Sequence, residues 1–186
     1  MKIIALDFET TGTVRGWPNE PWQLGWVAIE DGEVLPETPQ DILFQIPADR
    51  PFSPRAPGRW TECRAELAAA PSFQERWPDL APILIGTPLV AHNAATERTI
   101  LEKRAPLSPF GPWIDTLKLV RQAWPHLPSY ALGDLIAAFG LTEHVNRLCP
   151  GRTWHDALYD ACAGAVLYCF LLKRLPHLSR NTLLSV

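Results

Sequence analysis

Five residues carry the chemistry open to this sequence: Asp7 and Glu9, Glu97, and the pair His155 and Asp160. The first two stand in Asp7-Phe8-Glu9-Thr10-Thr11-Gly12, directly after the apolar run Lys2-Ile3-Ile4-Ala5-Leu6. Two apart in a strand, both carboxylates leave from one face. Like charges at the end of an apolar strand repel, and partial burial adds a desolvation cost. A bound divalent cation offsets both. Glu97 ends Val90-Ala91-His92-Asn93-Ala94-Ala95-Thr96-Glu97 and, on a helix, shares a face with Ile100 and Leu101. Asp160 falls in a stripe of small residues, Ala157, Ala161 and Gly164, which lets a helix lie close to a sheet and brings this acid to the strand of Asp7. His155, at the start of that helix, reaches over the same place from a mobile loop. Each group also has a plainer reading: a solvated strand end for Asp7 and Glu9, a complement to the helix dipole for Glu97, a solvated imidazole for His155.

The elements that must position these groups follow from the hydrophobic pattern. Lys2 to Leu6 reads as a central strand buried on both faces. Trp22 to Glu30 is a second strand, Asp31-Gly32 a hairpin turn into the next, and Ile42 to Ile46 the third strand of an antiparallel meander. Prolines dominate Pro47 to Arg59, an ordered surface loop. Ser72-Phe73-Gln74-Glu75 has the capping-box pattern, but Pro78 and Pro82 predict a short or broken helix. Leu89-Val90-Ala91 is a buried strand, and Asn93 is placed to cap a helix from about Ala94 to Arg104. Further helices are expected over Asp115–Trp124, Ala131–Phe139, stopped by Gly140, and Asp156–Arg174. Strands come first and helices mostly later, which predicts an α/β sandwich around one sheet.

The three acidic motifs, D-x-E-T-T-G, H-N-x-x-x-acid and H-x-x-x-x-D, stand in the order of the DEDDh 3′→5′ exonucleases, and the chain resembles that family over nearly its whole length. Lesser landmarks agree: Ala70-Pro71-Ser72-Phe73 before the second motif, Asp115-Thr116 after it, and Tyr130-Ala131-Leu132 ahead of the next helix. The resemblance implies a ribonuclease H-like fold with a central mixed five-stranded sheet flanked by helices, and a single exonuclease domain over residues 1–186. It implies two divalent cations, Mg²⁺ or Mn²⁺. Asp7, Glu9 and Asp160 hold one, Asp7 and the second-motif acid the other, and His155 is the general base. Thr10, Thr11 and Gly12, with His92 and Asn93, are the expected substrate contacts. Where the family usually carries Asp the chain carries Glu97, and no Asp occurs from Leu89 to Ile114. The extra methylene adds about 1.5 Å of reach, so Glu97 is expected to remain a ligand, with Mn²⁺ favoured. A catalytically silent binding module of the same fold is the competing reading.

Composition sets the frame for partners. The 186 residues are 47% hydrophobic and 20% charged, with net charge −3, which disfavours a broad grip on duplex DNA and suits short single-stranded DNA or RNA 3′ ends. Trp17, close to the Gly12 turn, is a candidate platform for an unpaired base. Cys63, Cys149, Cys162 and Cys169 form no CxxC pair and read as reduced core thiols of a cytoplasmic protein. The longest uncharged apolar run, Ala161 to Leu172, is too short to span a membrane, and no signal peptide is expected. A chain ending at Val186, soon after its last helix, favours a free enzyme; a polymerase partner is allowed by the resemblance but not indicated. The oligomeric state is not readable from the sequence.

Overall fold

The structure is a computed structural model describing residues 1–175. In chain order its elements are β1 (Lys2–Thr10), β2 (Pro21–Glu30), β3 (Glu33–Val34) and β4 (Gln40–Leu43), then α1 (Arg64–Ala69) and α2 (Phe73–Leu84). They continue with β5 (Leu89–Ala91), α3 (Ala95–Arg104), β6 (Trp113–Asp115), α4 (Thr116–Ala123), α5 (Leu132–Ala138), α6 (Thr142–Leu148) and α7 (Ala157–Arg174). One mixed sheet runs β3-β2-β1-β5-β6, with β4 also paired to β2. β1 and β2 are antiparallel, whereas β5 and β6 run parallel to β1.

The expected five-stranded sheet is therefore six-stranded. β3 and β4 both pair with β2, at Ile29 and Glu30 and at Gln23 to Trp26 respectively, so the outer neighbour of β2 is one strand position broken in two. The paired part of the second piece starts and stops earlier than the Ile42–Ile46 expectation. Asp31 and Gly32 both take positive φ, as a two-residue hairpin turn of this hand requires.

Alternation along β1 splits the core in two. Ile3 and Ala5 join Val27, Ile29 and the buried face of α7 on one side, while Ile4, Leu6 and Phe8 meet Leu24, Phe73, Leu84 and Leu101 on the other. Asp7 and Glu9 continue the first series, so both point to the α7 side. A third cluster of Trp22, Ile46, Phe52, Cys63 and Leu67 lies under the proline-rich loop. α7 is buried almost all round, as a helix apolar on every face must be.

Two local expectations are corrected. α2 is continuous through Pro78 and Pro82: Gln74, Pro78 and Pro82 share one exposed face, so water solvates the carbonyls the prolines leave unpaired, while the Ser72–Glu75 capping box fixes its start. Asn93 does not cap α3; it sits at φ +70°, and the cap residue Ala94 offers no side chain. Asp115, at the end of β6, caps α4 and also accepts from Asn93 N (3.1 Å) and Ala94 N (3.2 Å), so a neighbouring strand fixes the entry to α3.

Helix and sheet approach each other closely at Gly25 of β2, which pairs with Asp7. A Cβ there would fall 2.2 Å from the backbone of Ala157 and Leu158, whereas Gly164 has open space around it. The small-residue stripe thus matters at its first turn and not at Gly164. Replacing Gly25 by Ala is expected to cost at least the upper end of about 1–3 kcal/mol, since backbone and not a flexible side chain must yield. Thermal melting checks this; an unchanged midpoint would refute the close packing.

Candidate active site

The acids gather at the carboxyl ends of the parallel strands β1, β5 and β6, where open α/β sheets place their clefts. Glu9 and Glu97 are buried, and Asp160 is half-buried on the first turn of α7. α7 is seated by its own backbone: Ala157 N donates to Gln23 Oε1 (3.2 Å), and the Asp156 carboxylate caps Leu158 N and Tyr159 N. Gln23 Nε2 donates in turn to Asp41 Oδ1 (2.9 Å). Arg152 pairs with Asp156 and Asp41 at 2.8 Å, and Arg59 bridges the same two acids at 3.4 and 3.5 Å. This network joins β2, β4 and the segment that carries His155.

His155 is exposed and takes φ +65°, an uncommon conformation for a residue with a Cβ, though His is among those that tolerate it. Its backbone N donates to Asp160 Oδ2 (3.2 Å). Glu9, His155 and Asp160 each offer a donor atom, all within 4.8 Å of one another. Asp7 and Glu97 stand outside that trio but within electrostatic reach. Burial first, then the charges of Glu97, Asp160, Glu9 and Asp156, push the Asp7 carboxyl well above the usual range. Burial, then Asp160, Asp156 and Glu97, raise Glu9 to about 8. Burial raises Glu97 to about 8, eased by its own backbone N–H and reinforced by Asp115. Burial raises Asp160 to about 7, opposed by the His155 N–H and reinforced by Asp156.

The donor set fits a hard divalent cation. Glu97 Oε2 and Asp160 Oδ1 are buried with no hydrogen-bond partner among the described residues, and both belong to the cluster whose charges repel. Oxygen-rich acids with one imidazole suit Mg²⁺ or Mn²⁺ better than a softer ion.

The expected substrate contacts divide. Thr10 is half-buried, its Oγ1 accepting from Gly12 N (3.4 Å), and Gly12 makes the turn at φ +69°. Thr11 is fully buried; its Oγ1 accepts from Glu20 N and Arg50 Nη2 (both 3.1 Å), so it braces the turn from beneath. His92 is likewise committed: Nδ1 pairs with Thr116 Oγ1 and Nε2 with the Tyr130 carbonyl, both at 2.9 Å, and burial lowers its pKa. Asn93 remains exposed beside the site. Trp17 is 45% exposed, and the Arg50 guanidinium lies 4.9 Å from its ring centroid.

Arg50 and Asp115 escaped the sequence reading. Arg50 is 1% exposed; it pairs with Glu20 (3.0 Å) and donates to the carbonyls of Pro18 and Pro51, which fastens the turn after β1 to the proline-rich loop. No local pattern sets it apart from Arg55 and Arg59 in the same proline-rich segment. Asp115 was visible as part of Asp115-Thr116, although not as the group that orients α3 and with it Glu97.

The chain matches the family model described as Exonuclease over residues 4–168. It is 32% identical over 164 residues to exodeoxyribonuclease 10 of Escherichia coli K12. That match covers 87% of this chain and 64% of the relative, so the chain spans less than two thirds of the curated protein's length. A solved structure described as exonuclease X in complex with 5′ overhanging duplex DNA has TM-score 0.75 and 27% identity over 98% of both chains. The nuclease domain of 3′hExo, a DEDDh family member bound to rAMP, shares the fold at TM-score 0.73 and 16% identity, covering 93% of this chain and 92% of that one.

The raised carboxyls have a measurable consequence. Each binds its proton more tightly folded than unfolded, so from about pH 4.5 to about pH 8 the folded state holds more protons and stability falls as pH rises. Melting in EDTA is expected to show a midpoint that drops across this window, less so in Glu97→Gln, with added Mn²⁺ restoring it most at the alkaline end. A midpoint rising with pH in EDTA would contradict the clustering.

Proposed function

Because the chain belongs to the exonuclease family of DEDDh type, we propose that it is a metal-dependent 3′→5′ exonuclease that hydrolyses phosphodiester bonds at the 3′ end of single-stranded nucleic acid. DNA is the favoured substrate, in line with a relative named as an exodeoxyribonuclease and a structural neighbour bound to DNA. The observation that carries the reading is the convergence of Asp7, Glu9, Glu97 and Asp160 from three separate parts of the chain, with two of their oxygens buried and unpaired.

Asp7, Glu9 and Asp160 would hold one divalent cation, and Asp7 with Glu97 a second. When bound, such cations supply neutralisation of the charge that crowds the phosphorus during an in-line displacement. The protein's own groups do the rest. His155, exposed at the rim beside Glu9 and Asp160, accepts the proton of the attacking water. Asp160 holds the His155 backbone in place through its 3.2 Å hydrogen bond. As water adds to phosphorus the bond to the 3′-oxygen breaks, leaving a nucleoside 5′-monophosphate and a strand one residue shorter with a new 3′-hydroxyl. Thr10, Gly12 and Asn93 line the approach of the terminal nucleotide, and Trp17, backed by Arg50, offers its indole face to a base.

The test is 5′-labelled single-stranded DNA and RNA incubated with Mg²⁺, Mn²⁺ or EDTA. The expected result is a ladder shortening from the 3′ end only with metal, faster on DNA. Asp7→Asn and Asp160→Asn should each lose at least about 10²–10³-fold in turnover, the scale of one removed electrostatic contact. Binding without shortening would identify a silent module and overturn the proposal. Metal-dependent turnover unchanged in Glu97→Gln would remove that residue from the ligand set. For the base platform, Trp17→Ala is expected to weaken binding of short oligonucleotides by about 1–3 kcal/mol. Equal affinity in a titration would dismiss it.

A further inference from the structure

Two of the four cysteines lie against each other. Cys149, the residue after α6, and Cys162, on the second turn of α7, bring their sulfurs within 3.0 Å. Both are free thiols, and they are 3% and 0% exposed. The remaining two have other surroundings: Cys63 receives the Arg59 guanidinium in the cluster under the proline-rich loop, and Cys169 lies two turns further along α7. Among the described residues neither has a sulfur against it.

We propose that Cys149 and Cys162 are a redox modification site that closes to a reversible disulfide on reaction with hydrogen peroxide. A disulfide needs about 2.05 Å between sulfurs, so the pair must close by about 1 Å. The side free to move is that of Cys149. α7 is seated on β2 at Gly25 without slack, whereas Cys149 opens the irregular segment 149–156. Cys149 is also the less buried residue of the two, 3% exposed against 0%, and only a small oxidant fits such access. Its thiolate attacks one peroxide oxygen, the O–O bond breaks, and a sulfenic acid forms as the departing hydroxide takes a proton to become water. The Cys162 sulfur then attacks Sγ of Cys149, the S–O bond breaks, and the hydroxyl leaves as a second water with the Cys162 proton. Two thiols lose two hydrogens and one peroxide becomes two waters. A dithiol reverses the bond by exchange. The closed ring spans Arg152, His155, Asp156 and Asp160, so the bond ties together both ends of the segment that presents the imidazole.

The experiment's main arm uses the 186-residue chain without substitution, so the linkage is read without relying on a variant that folds. The protein is treated with a few equivalents of hydrogen peroxide, denatured, alkylated, digested and analysed by mass. The expected result is an intact mass lower by about 2 Da, two alkylated cysteines (Cys63 and Cys169), a peptide pair linked through Cys149 and Cys162, and full reversal by dithiothreitol. The oxidised chain should also melt at a higher temperature, a shift absent from Cys149→Ser. Four alkylated thiols, a gain of oxygen at either sulfur without linkage, or a link to Cys63 or Cys169 would each overturn the proposal.

Discussion

At Gly25 the backbone of β2 runs so near Ala157 and Leu158 that not even a methyl group would fit between strand and helix. Everything in the site leans on this contact. Gly25 is the β2 partner of Asp7, so the place where α7 touches the sheet is also the place where the first acid projects from it. With Gln23 bonded to Ala157 N and Asp156 capping the first turn, the helix starts at one height and rotation, and Asp160 is carried to Glu9 with no freedom of its own. The salt-bridge network of Asp41, Arg59, Arg152 and Asp156 holds the preceding segment, and His155 comes with it.

That placement works against electrostatics. Two carboxylates about 4 Å apart repel by about 4 kcal/mol at the effective dielectric of a protein surface, and burial adds to it. Burial first, and for Glu9 the neighbouring charges of Asp160, Asp156 and Glu97 after it, let Glu9 and Glu97 hold their protons up to about 8. The nearby cations do not supply a counter-charge. Arg59 and Arg152 are engaged by Asp41 and Asp156, and Arg50 by Glu20. The fold thus stores a repulsion that a hard cation relieves, and the orphaned oxygens of Glu97 and Asp160 mark where.

Much of this was legible in the order of residues because it is local. Period-two alternation puts Asp7 and Glu9 on one face whatever the rest of the chain does, and the capping box at Ser72 marks a helix start within four residues. Gly140, at φ +69°, ends α5 for an equally local reason. Readings failed where a distant partner intervened. Asn93 looked like a cap, yet no side chain caps α3, and Asp115 of β6 fixes the chain entering it across 22 residues. Nor did any local pattern show that Thr116 and Tyr130 hold both ring nitrogens of His92. Pro78 and Pro82 looked like breaks, and the helix survives because both face water while Phe73, Leu80 and Leu84 hold its other side.

The sequence by itself determined which residues could do chemistry, the faces they leave from, and the family whose motifs they repeat in order, since types and short spacings are written directly in the chain. Only the tertiary structure decided which of them meet. The Glu9, His155 and Asp160 trio, the burial of Thr11 beneath Arg50, and the contact of Cys149 with Cys162 depend on how strands and helices stack. Stacking is settled by packing between residues far apart in sequence, above all the missing side chain at Gly25, and no local pattern encodes that.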